Sequence, residues 1–327
     1  MRYRTLGKTG LTVSELGFGC GNVGGLMTRG QPDEQRSVVA RALEGGITYF
    51  DTAASYGDGR SEENLGRTLR DLGAWERVVV GTKVNLSRDA LADPRPAVRD
   101  SLTQSLRRLG RDSVDLLQLH SRIGNDPNER SLPPGEVAGA VAEAMRALVR
   151  EGLVRHAGIT GLGETEAVLE VVRSGAFDTV QAYFNALNPS AAYAGASGGA
   201  QDLGGLIAEA ARAGMGVIAI RVLAAGAVSG SSERARLASP GGGGAMVRGG
   251  EFEADLRRAQ SLADVARRHG LESTVELGLR FALAAEGVST ALVGFSDIEQ
   301  VESALRWTAR GPLAPGAVGE VVALARG

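Results

Sequence analysis

Val78-Val79-Val80 and Val217-Ile218-Ala219-Ile220 are apolar at every position. A strand with one wet face alternates polar and apolar residues. A strand apolar throughout is covered on both faces, as in a parallel sheet wrapped by helices. Eight short runs of strand character recur along the chain: Glu15–Phe18, Ile47–Asp51, Val78–Lys83, Val114–His120, Val154–Thr160, Thr179–Tyr183, Gly216–Arg221 and Thr290–Val293. Helical spacing fills the intervals, over Asp33–Glu44, Ser61–Asp71, Pro96–Leu109, Glu136–Glu151, Glu164–Arg173, Gln201–Ala213, Glu253–His269, Thr274–Ala285 and Asp297–Trp307. Eight βα units in series favour a closed barrel over an open sheet. No G-x-G-x-x-G opens the first unit, which argues against a doubly wound fold.

The expected fold is therefore α/β: a (β/α)8 TIM barrel with an N-terminal β-hairpin and an extra C-terminal helix. One domain is expected over 1–327. Tyr3 to Leu6 and Leu11 to Val13, around Gly7-Lys8-Thr9-Gly10, read as the hairpin, with 1–14 capping the barrel. A long loop over 224–256 is expected at the mouth. Ala194–Gly205 and Ser239–Gly250 follow late strands and have the Gly-rich composition of mobile loops, or of a lid that orders over a ligand.

The charge balance is 36 basic against 38 acidic residues, net -2. That offers no basic patch for nucleic acid or for an anionic membrane. Cys20 is the only cysteine, so an internal disulfide is ruled out. No apolar run is long enough to span a bilayer. The start, Met1-Arg2-Tyr3-Arg4-Thr5-Leu6, lacks the apolar core of a signal peptide. A cytoplasmic protein with a small-molecule partner is expected; the oligomeric state is not legible.

Lys8 and Lys83 are the only lysines; every other basic residue is arginine. Lys83 thus marks a place where arginine does not serve. In a barrel, side chains at the carboxyl ends of strands face the active mouth. Asp51, Lys83 and His120 each close a strand, and Tyr56 follows Asp51 in the next loop. Singly, these residues read as a turn former, a rim aromatic, a snorkelling cation and a satisfied histidine. Jointly, they converge on one rim. A phenol near pKa ~10 needs help to exchange a proton near neutrality. A nearby Lys83 ammonium would lower it, Asp51 would hold Lys83, and His120 would bond a substrate oxygen or relay the proton. This set is no acyl-transfer nucleophile. It fits a proton donor beside a carbonyl, with hydride supplied by a cofactor.

Asp51-Thr52-Ala53-Ala54-Ser55-Tyr56-Gly57, Ser61-Glu62 and Leu65-Gly66 resemble the signature of the aldo-keto reductase superfamily. Gly81-Thr82-Lys83, Val114–His120, Gly158-Ile159-Thr160-Gly161, Gln181–Asn185 and Val293-Gly294-Phe295-Ser296 match in order, and the likeness spans nearly the whole chain. The resemblance implies an NAD(P)(H)-dependent oxidoreductase interconverting an aldehyde, ketone or sugar lactol with its alcohol or lactone. Tyr56 would be the general acid/base, with Asp51, Lys83 and His120 as partners. It also implies a dinucleotide cradle. Thr160 and Gln181 would meet the carboxamide, and Arg221 would cover the nicotinamide face. Leu223 to Ala225 would approach the pyrophosphate, while Gly294, Phe295 and Ser296 would hold the adenosine phosphate at a helix N-terminus.

Three departures bear on the cofactor. Gly161 replaces a frequent asparagine. Ser303-Ala304 stand where an adenine clamp is often Glu-Asn, and Asp297 stands where NADP-preferring relatives often carry a basic residue. NADP(H) is the superfamily's usual cofactor; Asp297 and Ala304 lean toward NAD(H), with Gln300 left as a polar contact. Asn22, Met27, Ser121 and Arg122 follow strand ends and are expected to line the substrate site. His156 and His269 read as structural, and the three histidines, with no H-x-H, argue against a metal centre. Trp75 and Trp307 read as packing. The alternative function is a catalytically weak nucleotide-sensing module, like the channel-associated subunits of this fold; a Schiff-base lyase using Lys83 is a third.

Overall fold

A computed structural model describes residues 1–126 and 130–327. Strands β1 (Tyr3–Thr5) and β2 (Thr12–Ser14) form an antiparallel hairpin in the register Tyr3↔Ser14. Eight parallel strands follow: β3 (Leu16–Gly19), β4 (Tyr49–Asp51), β5 (Val79–Val84), β6 (Val114–Leu119), β7 (Val154–Thr160), β8 (Thr179–Tyr183), β9 (Gly216–Ile220) and β10 (Val288–Gly294). They close in the order β10-β3-β4-β5-β6-β7-β8-β9.

The unbroken apolar character of the strands has its reason here. Leu117 and Val217 point outward into a continuous core shared with the helices. Leu116 and Ile218 point inward and pack with Tyr49, Val79 and Ile220. The hairpin plugs the amino-terminal end of that interior with Leu6, Leu11 and Val13. Leu6 is fully buried, so truncating it to alanine would cost roughly 2–5 kcal/mol. The plug needs a glycine. Gly7 has φ +51°, and a Cβ there would stand 2.1 Å from the Gly216 amide nitrogen. Buried Glu15 anchors the hairpin by pairing with Arg2 at 2.9 Å and Arg4 at 3.3 Å.

Three helices depart from the periodicity. The segment expected to be helical from Gln201 starts only at Leu206, because Gly204 (φ 60°) and Gly205 (φ 70°) are left-handed. Glu253–His269 is two helices, Phe252–Ala259 and Leu262–Arg268. Glu136–Glu151 contains a π turn at Val137–Val141. A last helix, Pro315–Arg326, opens with proline at its first turn.

Side chains tie down the two Gly-rich loops. Gly195 N–H donates to Asp202 and Gly198 N–H to the Ala325 carbonyl. Arg221 donates to the carbonyls of Gly242 and Gly244, and Arg122 to that of Met246. No helix among the described residues is long and apolar enough to cross a membrane.

Candidate active site

Parallel register sets the site. Asp51 pairs with Gly81 across β4–β5, and Lys83 pairs with Gln118 across β5–β6. Side chains alternate along a strand, so Tyr49 and Asp51 share the inner face, as do Gln118 and His120. Tyr56 sits in the loop after β4; its N–H bonds the Ala53 carbonyl and its own carbonyl receives the Ser61 N–H.

Lys83 is 1% exposed, which makes every donor on its ammonium matter. It donates to Asp51 Oδ1, to the Thr52 carbonyl at 2.7 Å and to Tyr56 Oη at 3.2 Å. Three donors meet three acceptors. A single nitrogen can radiate bonds in these directions; a planar guanidinium cannot. The arginine-rich composition therefore yields to lysine here for a geometric reason. Asp51 Oδ2 accepts from Tyr49 Oη at 3.1 Å, Gln118 Nε2 at 3.2 Å and Gln181 Nε2 at 2.6 Å. His120 stands edge-on to the Tyr56 ring, centroids 5.7 Å apart, with Nδ1 3.5 Å from Ser55 Oγ.

The electrostatics correct one expectation. Burial raises the Tyr56 pKa by more than Lys83 lowers it, and Asp51 adds to the rise, so the phenol lies above its ordinary value of 10.0. Lys83 brakes the rise rather than reversing it. Burial alone would drive Lys83 down, but Asp51 and Tyr56 outweigh it, and its pKa ends above 10.5. Burial, then Lys83, push His120 down to about 3. The imidazole is therefore neutral at ordinary pH, with one donor and one acceptor nitrogen. Burial pushes the Cys20 thiol far up, so it is unreactive.

A cavity of about 620 Å³ crosses the mouth. Asp51, Tyr56, His120, Thr160, Gln181 and Arg221 line it; Lys83 stands behind Tyr56. Leu223, Gly294, Phe295, Ser296, Gln300, Ser303, Ala304 and Trp307 line it as well. All eight residues expected at a dinucleotide therefore border one trough. Gly24 also lines it, packed so closely on the loop after β10 that a Cβ would lie 2.4 Å from the Phe295 amide nitrogen.

The four residues expected at the substrate do not line this cavity. Met27 is fully buried in the core. Ser121 Oγ is spent on the Leu86 backbone, accepting from its N–H at 2.8 Å and donating to its carbonyl at 3.0 Å. Arg122 holds the Met246 carbonyl at 2.9 Å. Asn22 offers its carbonyl to Ser239 Oγ at 2.6 Å. A position after a strand end does not by itself aim a side chain inward. Sequence reasoning also passed over Tyr49, Gln118, Met246 and Arg234, and took Trp307 for packing. Met246, Arg234 and Trp307 line the cavity. Tyr49 and Gln118 carried a signal: each stands two residues before a strand-end site residue, hence on the same face.

Titratable side chains at the carboxyl ends of adjacent parallel strands, beside a long cavity, define a barrel enzyme working at those ends. Residues 15–326 match the aldo/keto reductase family. The chain is 31% identical over 329 residues to L-glyceraldehyde 3-phosphate reductase of Escherichia coli O157:H7, covering 92% of this chain and 86% of that protein. It is 30% identical over 308 residues to L-galactose dehydrogenase of Arabidopsis thaliana, with the same coverage of 92% and 86%. The crystal structure of an aldo-keto reductase from Klebsiella pneumoniae in complex with NADPH superposes with a TM-score of 0.69 at 22% identity, covering 100% of this chain and 96% of that one. The chain belongs to the aldo/keto reductase family. It is an NAD(P)-dependent oxidoreductase of that type.

Proposed function

We propose that the protein interconverts an aldehyde, ketone or sugar lactol with its alcohol or lactone, with Tyr56 as general acid/base. The observation that carries this reading is the 3.2 Å contact between Lys83 Nζ and Tyr56 Oη at the cavity wall. The sugar and sugar-phosphate names of the relatives favour a polyhydroxylated substrate.

A dinucleotide fits the residues of the trough. Gln181 turns its nitrogen to Asp51, because a carboxylate can only accept. Its oxygen accepts from Thr160 Oγ1 at 3.4 Å and keeps a second lone pair for a carboxamide N–H at the cavity wall. The Arg221 guanidinium offers a plane for an aromatic ring. The bound dinucleotide would supply or accept the hydride.

Tyr56 Oη gives its proton to the substrate oxygen during reduction and recovers it during oxidation. The neutral His120 donates one N–H to that oxygen and fixes its position. Lys83 stabilises the tyrosinate left behind, and Asp51 holds Lys83.

The Ser296–Gln300 segment of the cavity wall favours NAD(H), or use of both dinucleotides. Asp297 accepts from the Gln300 N–H at 2.9 Å, and Gln300 Oε1 accepts from the Ser296 N–H at 2.9 Å. Side chains of the chain itself thus take donors that a 2′-phosphate would use, and Asp297 and Glu299 face the same cavity. Carboxylates there repel a phosphate dianion.

The test is a panel of aldehydes, ketones and aldoses assayed with NADH and NADPH. Turnover of a carbonyl or sugar is expected. Tight dinucleotide binding without turnover across the panel would favour the nucleotide-sensing alternative.

A further inference from the structure

Asp51 exerts two opposed effects. Its charge holds Lys83 in place, and the same charge repels a tyrosinate at Tyr56. A bare carboxylate would undo part of what Lys83 provides. The structure shows what offsets this.

The two oxygens of Asp51 are used differently. Oδ1 faces the Lys83 ammonium, while Oδ2 receives three neutral donors, from Tyr49, Gln118 and Gln181. Three of the four donors thus crowd on Oδ2, the oxygen turned away from the Lys83 ammonium. Gln181 borders the cavity, whereas Tyr49 and Gln118 lie beneath it, fully buried. Gln118 bears a cost for its position. Its Oε1 is buried with no hydrogen-bond partner among the described residues, an arrangement that loses the hydration of the amide oxygen without replacing it. A residue serving only to pack the barrel would be apolar, like its inner-face neighbour Leu116. Gly81 keeps the space open: a Cβ there would stand 3.0 Å from Tyr49 Oη and 3.5 Å from both Asp51 Oδ2 and Gln118 Nε2.

We propose that Gln118 and Tyr49 are positioning residues for the Lys83–Tyr56 pair: by donating to Oδ2 they keep Oδ1 turned to Lys83 and draw the carboxylate's negative charge away from the phenol. Neither touches substrate or cofactor; both act through Asp51. The inference rests on Tyr56 as general acid/base. The other groups around Tyr56 that carry or can acquire charge are Cys20 after β3, Lys83 on β5, His120 after β6 and Arg221 after β9. At neutral pH Cys20 and His120 are uncharged, which leaves Asp51 as the group opposing the tyrosinate. The sign follows. Loss of one donor dipole makes the field of Asp51 at Tyr56 more negative, so the phenol ionises at higher pH.

The test uses two variants, Gln118→Met and Tyr49→Phe. Each removes the donor with little change in volume, and Gln118→Met also removes the unpaired oxygen. The tyrosinate absorbance of the dinucleotide-free protein is titrated, and the same background carrying Tyr56→Phe is subtracted to isolate Tyr56. Both variants are expected to titrate higher by roughly half a pH unit, a threefold fall in tyrosinate at fixed pH. The alkaline shift should recur in the pH profile of alcohol oxidation, with the dinucleotide Kd unchanged. A Tyr56 titration that coincides with wild type in both variants overturns the proposal, even if activity or Tm falls. If Tyr56→Phe retains full turnover, the proposed function fails instead, and the titration still decides whether Gln118 and Tyr49 tune the phenol.

Discussion

Lys83 and Tyr56 come from different βα units, 27 residues apart, yet the ammonium nitrogen meets the phenol oxygen at 3.2 Å and lies 4.6 Å from the ring centroid. That contact needs both a strand-end cation and a loop that returns the tyrosine over it. Lys83→Arg keeps the charge but cannot place three donors on one nitrogen. A fall in kcat on the order of a hundredfold is expected, and the larger guanidinium in a fully buried site should lower stability by roughly 1–3 kcal/mol. Lys83→Met instead leaves Asp51 buried without its counter-ion, and unfolding should become easier by roughly 3–5 kcal/mol. Denaturant melts of both variants beside their kcat values check the pair.

His120 lies at about 3 because burial and Lys83 disfavour its charged form. The unfolded chain holds its proton near the ordinary 6.5, so the unfolded state binds more protons between these values. Stability from this group is full above pH 6.5 and is lost as pH falls toward 3. Tm measured from pH 7 down to pH 4 should fall less steeply in His120→Gln than in wild type. The profile of kcat/KM should show no histidine limb between pH 5 and 8.

The strand ends were legible because apolar runs mark parallel strands and period two marks their inner face. Asp51, Lys83 and His120 followed directly, and Tyr56 followed from its place in the next loop. Other parts were hidden for physical reasons. Tyr49 and Gln118 were passed over, because an aromatic or an amide in an apolar strand shows no partner until strands from across the barrel come together. The direction of the Tyr56 shift depends on desolvation, which spacing does not reveal. Met27 and Ser121 lie outside the cavity lining, their orientation set by core packing and by the Leu86 backbone, which a position after a strand end does not reveal.

Asp297 caps the helix Ile298–Ala309 and faces the cavity. Asp297→Ser keeps a capping oxygen and removes the charge. The ratio of kcat/KM for NADPH over NADH should rise by about tenfold, with Tm nearly unchanged, if the carboxylate repels a 2′-phosphate by ~1.4 kcal/mol. An unchanged ratio would remove Asp297 from dinucleotide selection.

Glu272 joins the cavity to acid stability. Bonds from Trp307 Nε1, Arg306 and Arg310 pull its carboxyl from 4.5 down to about 2. A depressed carboxylate contributes stability above its unfolded value and loses it as pH falls through the folded one. The window is pH 4.5 to about 2. Trp307 lines the cavity and donates to Glu272, so its fluorescence should change in this window. Glu272→Gln should flatten that change; an identical titration would place its cause elsewhere.

Replacement of Tyr56 by phenylalanine tests the catalytic account most directly, because it removes one oxygen and leaves the trough lining intact. Single-turnover oxidation of bound reduced dinucleotide by a saturating carbonyl substrate should slow by roughly a hundredfold or more, with the dinucleotide Kd within about twofold of wild type. Hydride transfer in Tyr56→Phe at the wild-type rate would contradict the assignment of the Lys83-supported phenol as the proton donor.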